Sequence, residues 1–168
     1  CNQCHVDRTL SWTAEHLQQW FGTESIDLNA DERMISASLL WLLRGDAVQR
    51  VLAAWSLGWD SARQASGEGW QAPLLVELLD DPYAMVRFMA SQSLQKLGIE
   101  LGDYDFLVYP DQRSPVAPTI LRSLKQSPEV DTLADGVRSL FDSDGRLNRE
   151  LVERLLRQRD TRPITLNE

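Results

Sequence analysis

Two cysteines and a histidine stand close together at the start of the sequence, in the segment CNQCHVDRTL. Cys1 and Cys4 are the only cysteines of the chain, and His5 follows the second one directly. The pattern C-x-x-C-H is typical of covalent attachment of c-type haem. In that chemistry the two thiols join the two vinyl groups on one edge of the porphyrin, and the imidazole that follows can reach the iron. The sequence therefore predicts a haem site formed by these three residues.

Three other kinds of chemistry are alternatives for these residues, and each explains the pattern less fully. A structural zinc site needs four ligands, which His16 would complete, but the second half of the zinc pattern lacks a second histidine, and His5 directly after Cys4 is awkward for sharing one tetrahedral ion. A lipid on Cys1 leaves Cys4 and His5 without a role. A disulfide between Cys1 and Cys4 is the remaining alternative, and an oxidising compartment would permit it.

Composition places the chain among ordinary globular proteins. It has 168 residues, of which 43% are hydrophobic and 25% charged, enough for one domain with or without an appendage. A net charge of −8 argues against nucleic acid as a partner, because phosphate binding requires clustered Lys and Arg. No apolar run approaches the roughly 20 residues that cross a bilayer, so we predict no membrane-spanning segment. The sequence begins with Cys and not with Met, so we expect a processed part of a longer product.

Apolar residues recur at spacings of three and four, which predicts helices throughout and an all-α fold. Gly22 and Gly98 are expected to end helices, and Asn29 and Pro82 to begin them. The predicted helices span residues 9–21, 29–44, 47–59, 72–79, 83–98, 116–126 and 147–160, followed by an extended tail. We divide the chain into residues 1–28 with the haem motif and its helix, 29–98 with two helical hairpins, and 99–168 with an irregular loop and C-terminal capping helices.

An internal repeat relates two of the predicted helices. RVLAAWSL at 50–57 matches RFMASQSL at 87–94, and the offset of 37 residues lies in the range of helical-repeat solenoids. Each repeat reads as a helix, a turn that contains Asp, and a second helix. Small side chains in the second helix permit close packing of neighbouring helices.

Single residues in the turns and helices of the repeats have predicted roles. We expect Asp46 and Asp81 to cap the second helix of each repeat. We expect Arg50 and Arg87 to reach an acidic side chain of the adjacent repeat. With the paired leucines before each turn, this pattern over about residues 30–98 resembles the HEAT-repeat family. The resemblance implies a short, irregular HEAT-like solenoid between an N-terminal helix and a C-terminal capping helix.

A second resemblance covers nearly the whole chain. The segment CNQCHVDRTLSWTAEHLQQWFG resembles the part of exported multihaem c-type cytochromes where the last C-x-x-C-H runs into a Trp-containing helix, followed by HEAT-like repeats. Residues 54–94 and the closing RQRDTRPITLNE are also similar to that family. The resemblance implies the C-terminal part of an exported, periplasmic or cell-envelope cytochrome. Its partners would be the upstream haem domains of the same protein and redox partner proteins.

The cytochrome resemblance also implies roles for individual residues. Cys1 and Cys4 would carry haem c covalently, and His5 would be the proximal iron ligand. His16 would be the sixth iron ligand, a ligand of a haem in the missing upstream part, or an ordinary helix histidine. The expected function is electron transfer without a catalytic residue in this part of the chain. The alternative is a haem-free HEAT-repeat module for protein–protein interaction, and a recombinant fragment made without haem-loading machinery can lack the haem.

Overall fold

The structure is a computed structural model that describes residues 1–112, 114–124 and 128–162. Over these residues the chain is all-helical and has no β-strand, which confirms the predicted all-α class. The helices are α1 Leu10–Phe21, α2 Ala30–Met34, α3 Ala37–Arg44, α4 Ala47–Leu57, α5 Asp60–Ser66, α6 Gln71–Val76, α7 Ala84–Lys96, α8 Ala117–Ser123, α9 Asp135–Arg138 and α10 Arg149–Arg157. None of the helices described here combines the length and apolar character needed to cross a membrane.

Side-chain caps fix the beginnings of several helices. The Thr9 hydroxyl accepts the backbone N–H of Trp12 at the start of α1, which ends at Gly22 with φ 64°. Asp46 accepts the backbone N–H of Gln49 at 2.8 Å, and the Gln49 side chain accepts the backbone N–H of Asp46 at 3.1 Å. This reciprocal pair is a capping box, so the predicted role of Asp46 is confirmed.

The single helix predicted over residues 29–44 is wrong. It divides into α2 and α3 because Ile35 is extended and Ser36 has non-helical backbone angles, and the Ser36 N–H donates to the carbonyl of Gly136 instead of continuing the helix. Residues 60–66 form α5, a seven-residue helix in a segment that lies outside the predicted helices. The end of the helix predicted over 116–126 and most of the predicted tail lie outside the described residues.

The core lies between α3, α4, α6 and α7, with α10 packed on α3. Small side chains line the contact of α4 with α7: Ala53, Ala54 and Ala90 are buried, and the Ser93 hydroxyl donates to the Ala54 carbonyl at 2.7 Å. The approach is so close that a Cβ on Gly58 would stand 2.6 Å from the Ser93 Oγ. The two matched helices therefore pack directly against each other.

A buried ion cluster joins this core to the C-terminal segment. The Asp81 carboxylate contacts the Arg50 Nε at 2.9 Å and the Arg159 Nη1 at 2.8 Å, and the side chains of Arg50 and Asp81 are fully buried. Arg50 thus reaches the carboxylate of Asp81, an acidic side chain in the segment predicted as the next repeat. The predicted capping role of Asp81 is wrong, because α7 begins without a side-chain cap. Arg87 donates to backbone carbonyls, including that of Phe106 at 2.7 Å, and not to a carboxylate.

Candidate haem attachment site

The two cysteines and His5 belong to one hydrogen-bonded turn at the start of the chain. The backbone N–H groups of Cys4 and His5 both donate to the Cys1 carbonyl, at 3.1 and 3.0 Å. Both thiols are free and exposed, and the imidazole is half-buried. The structure therefore places the three predicted site residues on one turn whose two thiols are accessible from solvent.

Serine hydroxyls from distant parts of the chain hold this turn by its backbone. Ser36 donates to the Val6 carbonyl and Ser38 to the Asn2 carbonyl, and both serines are buried at the start of α3. Ser66, the last residue of α5, donates to the Cys4 carbonyl at 3.2 Å. The turn is thus fixed to two helices, although the side chains of Cys1 and Cys4 are exposed. A rigid backbone of this kind is what a site with defined geometry requires.

Two further contacts tie the turn to its surroundings. The Asn2 side chain is buried, donates to the Arg8 carbonyl at 3.0 Å and accepts the Thr13 hydroxyl at 2.7 Å. A Cβ on Gly136 would stand only 2.6 Å from the Asp7 carbonyl oxygen, so the α9 backbone lies directly on the residues that follow the motif. These contacts join the turn to α1 on one side and to α9 on the other.

An aromatic row runs from the motif along α1. The ring centroids of His5 and Trp12 are 5.2 Å apart, those of Trp12 and His16 4.2 Å, and those of His16 and Trp20 5.2 Å. No residue of α1 is buried, and the side chains of Trp20 and Phe21 are 57% and 73% exposed. We call Trp12, His16, Trp20 and Phe21 the aromatic face. A helix with this much uncovered aromatic surface is unusual, since such faces normally pack against another group.

The hydrogen bond of His16 defines which ring nitrogen is free. Its Nδ1 lies 2.8 Å from the Trp12 carbonyl oxygen. Because a carbonyl only accepts hydrogen bonds, Nδ1 carries the proton and Nε2 of the neutral ring keeps its lone pair.

Covalent haem attachment needs two reachable thiols and an imidazole near them. The turn carries these residue types, with both thiols exposed, and Trp12 lies 5.2 Å from the His5 ring. Among the residues that the structure describes, no three His, Cys, Asp or Glu side chains form a group that could hold a metal ion.

Sequence reasoning missed the residues that hold the turn. Ser36, Ser38 and Ser66 stand 30 to 62 residues beyond the groups they contact. A serine before or within a helix normally indicates only a cap, so no local signal marks these contacts.

Comparisons of the chain with family models, with curated proteins and with solved structures gave no match. Its functional interpretation therefore rests on the residues and geometry described above.

Proposed function

We propose that the chain is the C-terminal part of an exported c-type cytochrome that transfers electrons. Haem c is attached at Cys1 and Cys4, and His5 binds its iron. The observation that carries this proposal is the pair of exposed thiols that shares one fixed turn with a half-buried imidazole. The serine contacts to the backbone of the turn support a site of defined geometry over a loose end of the chain.

The bound haem supplies the one-electron chemistry of its iron, and the chain's own residues hold and shelter it. Cys1 and Cys4 would hold haem c through thioethers, and the His5 imidazole would bind its iron. Trp12 of the aromatic face lies 5.2 Å from the His5 ring, and apolar surroundings of this kind are one of the factors that tune the potential of a haem.

We further propose that α3 with α4 and α6 with α7 are two units of a HEAT-like solenoid. Arg50 and Arg87 are both fully buried. Arg50 Nη1 donates to the Gly45 carbonyl at 2.6 Å, and Arg87 Nη1 donates to the Pro82 carbonyl at 2.9 Å. Gly45 and Pro82 are separated by the same 37 residues as the two arginines. The same contact thus recurs at the offset of the sequence repeat, which supports two copies of one unit.

In this proposal the solenoid docks the upstream haem domains of the same protein, or a redox partner. The net charge of the chain is −8, which suits a partner surface that carries positive charge.

The proposal is tested by exporting the chain together with haem-attachment machinery and recording a pyridine haemochrome spectrum. We expect one covalent haem per chain. The variant Cys4→Ala should attach haem through a single thioether or not at all. Ser143→Ala changes an exposed residue outside the motif and is the matched control. A chain that leaves the exporting host without covalent haem would contradict the proposal.

A different observation supports a second candidate function, a haem-free module for protein–protein interaction. Val48, Leu52 and Trp55 form an exposed apolar stripe on α4, at spacings of four and three residues. Exposed apolar stripes of this kind are common at docking surfaces. This function is favoured if the exported chain carries no covalent haem.

A further inference from the structure

We infer that the second repeat ends in a docking site for an aspartate-containing turn of another polypeptide. Residues 104–109, which we call the end loop, occupy this site until such a turn displaces them. The site is built on the guanidinium of Arg87, which is fully buried. Over the described residues its hydrogen bonds go to backbone carbonyls and not to a carboxylate. The inference rests on the two matched arginines and is independent of the proposed haem.

The surroundings of Arg50 show what the first of these arginines binds. Its Nε lies 2.9 Å from one oxygen of the Asp81 carboxylate, and its Nη2 donates to the other oxygen at 3.3 Å. The centroid of the Tyr83 ring lies 5.4 Å from the guanidinium carbon of Arg50. Asp81 and Tyr83 both belong to the turn LLDDPY, residues 78–83. One short turn therefore supplies both the carboxylate and the aromatic ring.

The end loop surrounds Arg87 in a similar way but without a carboxylate. The Phe106 carbonyl accepts a hydrogen bond from the Arg87 Nε at 2.7 Å, where Arg50 has a carboxylate oxygen. The centroid of the Tyr109 ring lies 5.8 Å from the guanidinium carbon of Arg87. The Arg87 Nη2, however, is buried and has no hydrogen-bond partner in the part of the chain that the structure describes. The end loop thus imitates the turn at Arg50 and lacks one acceptor.

The missing acceptor makes a carboxylate the better ligand for Arg87. A carboxylate accepts from two guanidinium nitrogens at once, and hydrogen bonds between charged groups are about twice as strong as neutral ones. A buried charge without a counter-charge also destabilises its surroundings. An aspartate that reached Nε and Nη2 would satisfy both groups, as Asp81 does for Arg50. The partner therefore resembles the turn 78–83, with an aspartate and an aromatic residue two positions later.

The end loop is weakly held, so such a turn can displace it. None of residues 101–112 is buried, and the side chains of Leu107 and Tyr109 are 63% and 60% exposed. Residues 101–109 form neither helix nor strand. Segments with so few buried contacts open locally at a smaller free energy than the core. We therefore expect the end loop to open while α7 stays folded.

The experiment is a nuclear magnetic resonance titration of the full, isotopically labelled chain with the synthetic peptide LLDDPY, whose ends are acetylated and amidated. We expect saturable shifts in the signals of the end loop and of the Arg87 side chain. The same peptide with Asp81→Asn should bind at least about tenfold more weakly, because it loses the charge-assisted hydrogen bonds. The peptide with Asp80→Asn is the matched control and should bind within about twofold of the parent peptide.

Two variants of the chain test the displacement of the end loop. Tyr109→Ala removes the ring over Arg87, weakens the loop and should tighten peptide binding about two- to fivefold. Leu107→Ala changes an exposed residue of the same loop and should leave binding unchanged. Chymotrypsin gives a second readout. The peptide should speed cleavage after Phe106 and Tyr109, because the displaced loop is open to the protease.

Several outcomes would overturn the inference. They are the lack of saturable shifts with LLDDPY up to about 5 mM, equal binding of the peptide with Asp81→Asn, and unchanged cleavage of the end loop. Shifts at residues 160–162 in place of the end loop would also overturn it. The Asp160 carbonyl accepts from Arg50 Nη1, so such shifts would place the peptide at Arg50. None of these outcomes depends on covalent haem, so failure here leaves the proposed function untouched.

Discussion

At the scale of single residues, the motif contributes the chemical groups and the serines fix where those groups stand. The proposed haem site at Cys1, Cys4 and His5 rests on a local spacing in the sequence, and it stays a prediction. Ser38 could not be predicted, because its contact with the Asn2 carbonyl spans 36 residues and exists only in the folded chain. The thiols and the imidazole come from neighbouring residues in the sequence, whereas the backbone that carries them is held by contacts that form only on folding.

The first prediction concerns one of these serines. Ser38→Ala removes the hydroxyl that donates to the Asn2 carbonyl and leaves a buried acceptor without its partner. We expect the free energy of unfolding to fall by about 1–3 kcal/mol, because an unsatisfied buried polar group loses its full solvation. Urea denaturation followed by circular dichroism measures this. Ser143→Ala, at an exposed position, is the control and should lie within about 0.5 kcal/mol of the parent.

At the scale of helices, the all-α class and most helix positions could be predicted from apolar spacing, but the break between α2 and α3 could not. Residues 29–44 are periodic enough for one helix. The chain nevertheless leaves the helix at Ser36, whose N–H donates to the Gly136 carbonyl, and the Ala37 N–H donates to the Arg8 carbonyl. These two tertiary hydrogen bonds take the place of helical ones. The element boundary is therefore set by residues far away in the sequence.

The capping box of α4 gives the second prediction. Asp46→Ala removes the acceptor of the Gln49 N–H and one half of the reciprocal pair. We expect a loss of about 0.5–2 kcal/mol in unfolding free energy, as for other helix caps. Thermal and urea unfolding measure it. Glu24→Ala removes an exposed carboxylate outside any helix, and an equal loss in that variant would contradict a capping origin.

At the scale of the whole molecule, carboxylates join segments that are far apart in sequence. Asp31 of α2 contacts Arg154 of α10 at 2.8 Å and Arg44 of α3 at 2.9 Å. The hydrogen bond from Arg154 lowers the pKa of the Asp31 carboxyl below its usual 3.8, against the opposing effect of partial burial. Glu77, at the end of α6, similarly contacts Arg149 at 2.6 Å. These pairs connect α10 to the earlier helices.

The third prediction is a pH dependence of stability. A carboxyl with a lowered folded-state pKa stabilises the fold above its unfolded pKa, and this contribution is lost as pH falls through the folded value. We therefore expect Asp31→Asn to be less stable than the parent at pH 7, and the difference to shrink below about pH 4. Urea denaturation at several pH values between about 2.5 and 7 measures the free energy of unfolding of the parent and of Asp31→Asn.

Asp27→Asn is the matched control for this pH dependence. Its carboxylate pairs with Arg33 at 3.3 Å but is fully exposed, so its contribution should be near zero at every pH. A difference between Asp31→Asn and the parent that stays constant down to the lowest pH would contradict the assigned ion pairs.

The serine contacts of the motif turn also set an order of events during biosynthesis. Chains are made from the N-terminus, so the thiols of Cys1 and Cys4 emerge before Ser36, Ser38 and Ser66, the last of which follows Cys4 by 62 residues. Until those serines arrive, the Asn2, Cys4 and Val6 carbonyls lack the hydroxyl groups that donate to them in the folded chain. Access to the two thiols by an enzyme that needs an extended peptide is therefore greatest before these contacts form.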